Sequence, residues 1–275
     1  MPFWRSCLFV RAARQAMIAL LVVLAAANAT AADPLFPSPI HLTRRVVDPI
    51  SGSETVIDEY LYGNRVVSVT ASKTAIADYD KGELLEIDRQ AGTWSVTKFE
   101  EIAKARPAPI RHRLQSVRAD DWNVQTRGAA TKAGRSATAI EAIRDSGGSE
   151  FSRLNVVVDG EIRLSREAFD VLTGAAWPND RNEEHDVLRR AARAETSSPA
   201  GQRLERFALL LEKRVVIEID GQTIETRDEV LRVAHDLPSA RQLEIPRGAT
   251  KVESRLVLRH KLLDELDRLP DANAP

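Results

Sequence analysis

TVIDEYLYGNRVVSVTASKTAIADYDKGELLEIDRQAGTWSVTKF, residues 55–99, decides the fold class. Short runs rich in Val, Ile, Thr and aromatic residues alternate with turn residues at nearly even spacing, which is the pattern of an antiparallel meander. Gly63-Asn64 separates two runs by two residues and predicts a tight hairpin. Lys81-Gly82 and Ala91-Gly92 are the next breakers. Val67, Val69 and Ala71 alternate with Val66, Ser68 and Thr70, as in a sheet with one drier face.

Working outward, His41–Val47 suits a first strand, stopped by Asp48-Pro49 and the turn after it. The Pro-rich stretch before it, 32–39, reads as an extended leader. On the other side, Thr97-Lys98-Phe99-Glu100 fits a capping box opening a short helix to about Arg106. Ile110–Val117 is strongly basic, and both helix and loop stay open for it. Residues 121–150 are small and polar, compatible with a linker, but Trp122–Arg127 and Ser136–Arg144 carry strand pattern on both sides of a loop, and two further strands are preferred. Phe151–Val158 reads as a strand ending in an Asp159-Gly160 turn. Ser165 and Asn182 are N-cap candidates for two helices, up to Gly174 and Arg193, forming an insertion near 165–194. Phe207–Ile219 and Gln222–Val233 flank Asp220-Gly221 as a second hairpin. Leu243–Pro246 reads as a short edge segment, and Leu258, Leu262, Leu266 and Leu269 make a helical stripe within Val252–Leu269. The fold class expected is α+β and sheet-dominated: a strongly curved, unclosed antiparallel sheet covered by helices, with a C-terminal helix and a disordered tail at 271–275.

Arg5, Arg11 and Arg14 precede an apolar run and two small-residue cleavage sites, after Ala29 and after Ala31. That is the pattern of a cleaved signal peptide over 1–31, and the run is too short for a spanning helix, so no permanent anchor is expected. Export implies a periplasmic location. The one cysteine, Cys7, lies in the basic segment, so the mature chain has no disulfide and no thiolate site. Without the three arginines the balance is 36 Lys+Arg against 40 Asp+Glu, a formal −4. The signs are interspersed and no basic block appears, which argues against nucleic-acid binding.

No catalytic, cofactor or metal constellation is legible. His41, His112, His185, His235 and His260 show no ligand spacing, and Glu183-Glu184-His185-Asp186 would point in different directions on a helix. Ser146-Gly147-Gly148-Ser149 lacks the strand–elbow–helix setting of a hydrolase. Trp94, Trp122 and Trp177 are core residues first; the functional alternative is that they line an apolar cavity with Leu258 and Leu262.

The segment EYLYGNRVVSVTASKTAIADYDKGELLEIDRQAGTWSV with the later LEIPRGATKV resembles periplasmic proteins of the lipoprotein-carrier-like superfamily, of LolA/LolB type. The resemblance covers most of Thr55–Val252, one domain spanning about 40–270, and rests on strand rhythm, the Asp78-Tyr79-Asp80 turn and Ile245-Pro246. It implies a half-barrel plugged by helices and a non-enzymatic role holding a lipid, acyl chain or lipoprotein anchor. Its alternative is an envelope interaction or stress-sensor protein that contacts another protein. The 165–194 helices and the basic 110–118 segment depart from the plain carrier pattern.

Overall fold

Strand β1 (Phe36–Val47) is the seam of the molecule: its two edges carry the two halves of one sheet. The computed structural model describes residues 33–48, 51–105, 122–145, 150–173, 183–197, 203–219 and 221–254. On one edge β1 pairs with β2 (Glu54–Gly63), followed by β3 (Arg65–Val69), β4 (Lys73–Asp78), β5 (Glu83–Asp88) and β6 (Thr93–Lys98), each antiparallel to the last. This is the meander read from the sequence. Gly63 and Gly92 turn its corners at φ +56° and +65°, backbone that L-side chains avoid. Asn64 adds a side-chain role, accepting from the Leu35 amide at 2.8 Å and donating to Asp80 at 2.7 Å.

The second half comprises β7 (Asn123–Lys132), β8 (Arg135–Asp145), β9 (Glu150–Leu164), β10 (Arg193–Ser197), β11 (Arg203–Ile219) and β12 (Gln222–Ala234). Its order, counted from β1, is β12-β11-β9-β8-β7, with β10 paired to β11. The linker alternative for 121–150 is thereby excluded, since β7 and β8 continue the sheet. A two-residue strand, β13 (Thr250–Lys251), pairs parallel to β6. The described strands make one open sheet with β13 and β7 at its ends, not closed into a barrel.

The helices among the described residues are α1 (Phe99–Ala105), α2 (Arg166–Leu172), α3 (Glu183–Ala192) and the single turn α4 (Ala240–Leu243). Directly paired residues share a face, so Leu61, Val66, Ala77 and Leu84 form one row, and Ala142, Leu154, Val215 and Thr226 another. The main core combines Leu42 and Leu61 with Leu154 and Val156, with Phe207, Leu209 and Leu211, and with Phe169, Val187 and Leu188 of the helices.

Several expectations need correction. The 32–39 leader is strand from Phe36, whose side chain is buried. Pro37 and Pro39 are tolerated because the ladder with β2 is interrupted between Phe36 and Ile40 and that with β12 begins only at His41. Asp159-Gly160 does not end a strand; β9 runs through it with a kink. There the buried Asp159 carboxylate accepts the amides of Glu161 and Ile162, both at 2.7 Å, and the Arg135 guanidinium. The first cap sits one residue later than read: the Lys98 amide donates to Glu101 at 3.3 Å, and Thr97 Oγ1 is buried without a hydrogen bond. The edge segment at Leu243 begins as helix α4, and 252–254 are irregular where helix was expected. The signal segment with Ala29 and Ala31, the 110–118 segment, Trp177, Leu258, Leu262 and the tail lie outside the described residues.

Candidate functional site

Helices α2 and α3 cover the core face of the second half of the sheet, and the site lies beneath them. Ser165 Oγ accepts from the Ala168 amide at 3.1 Å and starts α2; Thr173 ends it, its hydroxyl donating to the Phe169 carbonyl at 2.8 Å. Phe169 points inward and stacks on Phe207, with centroids 4.8 Å apart. In α3, Val187, Leu188, Ala191 and Ala192 are buried while Asp186 and Arg190 are exposed, an amphipathic face at helical spacing. Arg190 reaches back to the Trp122 carbonyl at 3.3 Å.

Two small cavities remain between α2 and the sheet, of about 70 Å³ and about 30 Å³. Arg44, Leu172, Thr173 and Leu210 border both; Leu188, Leu211 and Val230 line the larger together with the charged Glu212, Lys213 and Asp228, and Leu42, Leu164, Phe169 and Leu209 line the smaller. Arg44 is the charged residue common to both. Arg44 Nη1 donates to Glu59 at 2.7 Å, and its Nε donates to Asp228 at 3.1 Å, with Nη2 completing the fork on Asp228. Burial opposes the charge of Arg44, but Glu59 and Asp228 outweigh it and hold the guanidinium above its ordinary range.

A polar tie joins the two helices. Arg189 Nε donates to Asp170 Oδ1 at 3.0 Å and its Nη2 bonds Asp170 Oδ2. His185, 2 % exposed, lies with Nδ1 3.0 Å from Thr173 Oγ1 and Nε2 3.3 Å from Asp170 Oδ1. Burial and then Arg189 push its pKa below the usual histidine value, against the pull of Asp170. Hydroxyl, imidazole and carboxylate in a row have the connectivity of a nucleophilic triad. Thr173 Oγ1 also lies 2.8 Å from the Phe169 carbonyl, so its one proton is shared between a carbonyl and the ring as acceptors, and the row ties the two helices together.

His41 is also buried, between Asp236 at 2.9 Å and Asp58 at 3.2 Å. The carboxylates meet opposite ring nitrogens, so they do not converge on one ion; they tie the chain after β12 to β1 and β2. Trp122 belongs to the main core, whereas Trp94 lies half-buried on β6 under Lys251 Nζ, 5.2 Å from the ring centroid. Along the sheet the two sit toward opposite ends, and the structure does not bring them together. The residues that do line the cavities were not singled out in the sequence. The Phe207–Leu211 run FALLL reads as part of a strand, and Phe169 and Leu172 share a helix face, with no signal that the two meet.

No family model and no curated protein matches the chain. Among solved structures it is similar to an uncharacterized conserved protein from Thermus thermophilus, at 9 % identity and TM-score 0.38, over 80 % of this chain and 92 % of that one. It is similar to PNGF-II at 7 % identity and TM-score 0.34, over 83 % of this chain but 33 % of that protein, and so spans about a third of its length. MucB matches at 12 % identity and TM-score 0.33, over 76 % of this chain and 58 % of that one. A putative outer membrane lipoprotein-sorting protein domain from Vibrio parahaemolyticus matches at 10 % identity and TM-score 0.22, over 74 % and 88 %. At these scores none of the four bears on what the chain does. Among the described residues no helix is long and apolar enough to cross a membrane.

Proposed function

We propose that the protein is a non-enzymatic periplasmic binding protein that holds a lipid, acyl chain or lipoprotein anchor against the core face of its open sheet, with α2 and α3 as the cover. The observation that carries this is the space left between a short two-helix cover and an unclosed sheet, walled by leucines on one side and by Arg44 and its charged neighbours on the other. An apolar sheet face must be filled by something, and here α2 and α3 fill it. The cavities, about 70 Å³ and about 30 Å³, accept a few carbons. Ligand sites usually measure about 300–1,000 Å³. The cover therefore has to move for a whole chain to enter.

Native mass spectrometry of protein purified from a periplasmic expression host, with organic extraction of the same sample, tests this. A co-purifying mass in the lipid range, lost on denaturation, is expected. A clean apo mass with no uptake of added fatty acid or phospholipid would overturn it. The second reading, contact with an envelope protein, is favoured by β7: an exposed ten-residue strand at one end of the sheet, paired only to β8 among the described residues.

A further inference from the structure

We propose a second binding site, for a short extended peptide, in the cleft where β13 and the chain after it part from β6. It lies at the other end of the strand order from the strands that α2 and α3 cover, and it stands whether or not the core face holds lipid.

A sheet ladder that stops short is the first observation. Thr250 N donates to the Gly92 carbonyl at 2.9 Å and Val252 N to the Trp94 carbonyl at 2.8 Å. The amide and carbonyl of one residue lie on the same edge of a strand, and the edge alternates from residue to residue. Val96, two residues on from Trp94, therefore turns both groups toward the β13 side and away from β5. In register its amide would next meet the Val252 carbonyl, and its carbonyl the Ser254 amide. Among the described residues neither bond forms. The two chains diverge instead around a cleft of about 540 Å³, bordered by Val96, Thr97 and Glu101 on one side and by Lys251–Ser254 on the other. That volume is ordinary for a ligand site and far more than a water needs.

A pair of orphan hydroxyls is the second. Thr97 and Ser254, 1 % and 4 % exposed, both border the cleft, and neither side-chain oxygen has a hydrogen bond among the described residues. A buried hydroxyl that has lost water and gained no partner destabilises the empty protein. A turn about χ1 can present each to a guest in the cleft.

These groups select the chemistry. An unpaired N–H and C=O on one residue match an amide of an extended chain, and hydroxyls donate or accept as that chain requires. Lys251, its ammonium 5.2 Å from the Trp94 ring centroid, supplies a cation for a terminal carboxylate. Glu101, which spends one oxygen on the Lys98 amide at 3.3 Å, supplies the opposite charge for a terminal amine. Glu253 is engaged elsewhere. A short free peptide thus lies antiparallel to β6, between Val96 and Val252.

Amide NMR of protein purified from a periplasmic host, titrated with trialanine to about 20 mM, tests this. Saturable shifts are expected at Val96, Thr97 and Val252–Ser254, with Leu209–Leu211 unmoved. Trialanine amidated at its C-terminus should bind roughly threefold more weakly, and Lys251→Gln should erase that difference. Thr97→Val keeps the shape and removes one orphan hydroxyl. Its thermal midpoint should rise while trialanine binds roughly three- to tenfold more weakly, and a merely structural threonine would not move the affinity. Shifts that stay linear in trialanine, or scatter over the surface, overturn the proposal. So does a Thr97→Val protein that binds trialanine as the wild type does. Glucose that shifts the same amides at equal concentration overturns it too, because the cleft would then take polyols and not peptides.

Discussion

Gly160 has no room for a methyl group. A Cβ there would stand 2.9 Å from the Ser136 carbonyl oxygen, which is backbone and cannot rotate away. Gly160→Ala should therefore cost about 1–3 kcal/mol, read by urea denaturation. Its neighbour Asp159 is the anchor of the same kink. Burial raises the pKa of this carboxyl, but Arg135 and the amides of Ile162 and Glu161 outweigh that and hold it below the ordinary 3.8. The resulting stability is present above about pH 3.8 and is lost as pH falls through the lower folded value. Asp159→Asn should cost about 1.5–3 kcal/mol near neutral pH, and much less once the wild-type carboxyl is protonated, so denaturant midpoints of the two proteins should converge in acid. Equal gaps at both pH values would show that Asp159 acts through shape and not through charge.

At the scale of elements, β1 and the helical cover are the two dependencies. Arg44 is the rivet of the seam, reaching Glu59 on β2 and Asp228 on β12 from the strand between them. Arg44→Met leaves two partly buried carboxylates without their cation. The expected loss is about 1–3 kcal/mol, below the range for fully buried pairs because all three side chains keep some water. The same change opens the charged wall of the cavity and should alter lipid uptake, so stability and binding are measured together. The cover depends most on Phe169, fully buried and stacked on Phe207. Phe169→Ala should cost about 3–5 kcal/mol if α2 stays docked. A smaller loss, with exchange protection falling only in α2 and α3, would show that the cover detaches while the sheet survives.

For the whole molecule, the pairing of His41 with Ala234 joins residues nearly two hundred apart in the chain and couples the meander to the later hairpins. Loop closure of that length must precede the contacts that reward it, so refolding should be slow for the chain's size, in the range of milliseconds to seconds, when followed by stopped-flow fluorescence. With Cys7 the one cysteine, no intrachain disulfide is possible, and a reductant should leave the thermal midpoint unchanged.

Local chemistry determined much of this protein by itself. Turn residues such as Gly63 and Gly92, strand alternation, and the Ser165 cap act over a few residues, so the meander, the pairing of β11 with β12 and both inserted helices were legible in order. Asp159-Gly160 misled because the same short-range signal serves a turn or a kink. Only Arg135 and Ser136, brought alongside by β8, decide which. The candidate site was illegible for the same reason on a larger scale. Leu42, Arg44, Phe169, Leu210 and Asp228 come from four distant stretches, each an ordinary core or surface residue in its own neighbourhood. Their meeting depends on strand order and on where two helices dock, and long-range hydrophobic packing sets both; no local pattern encodes them.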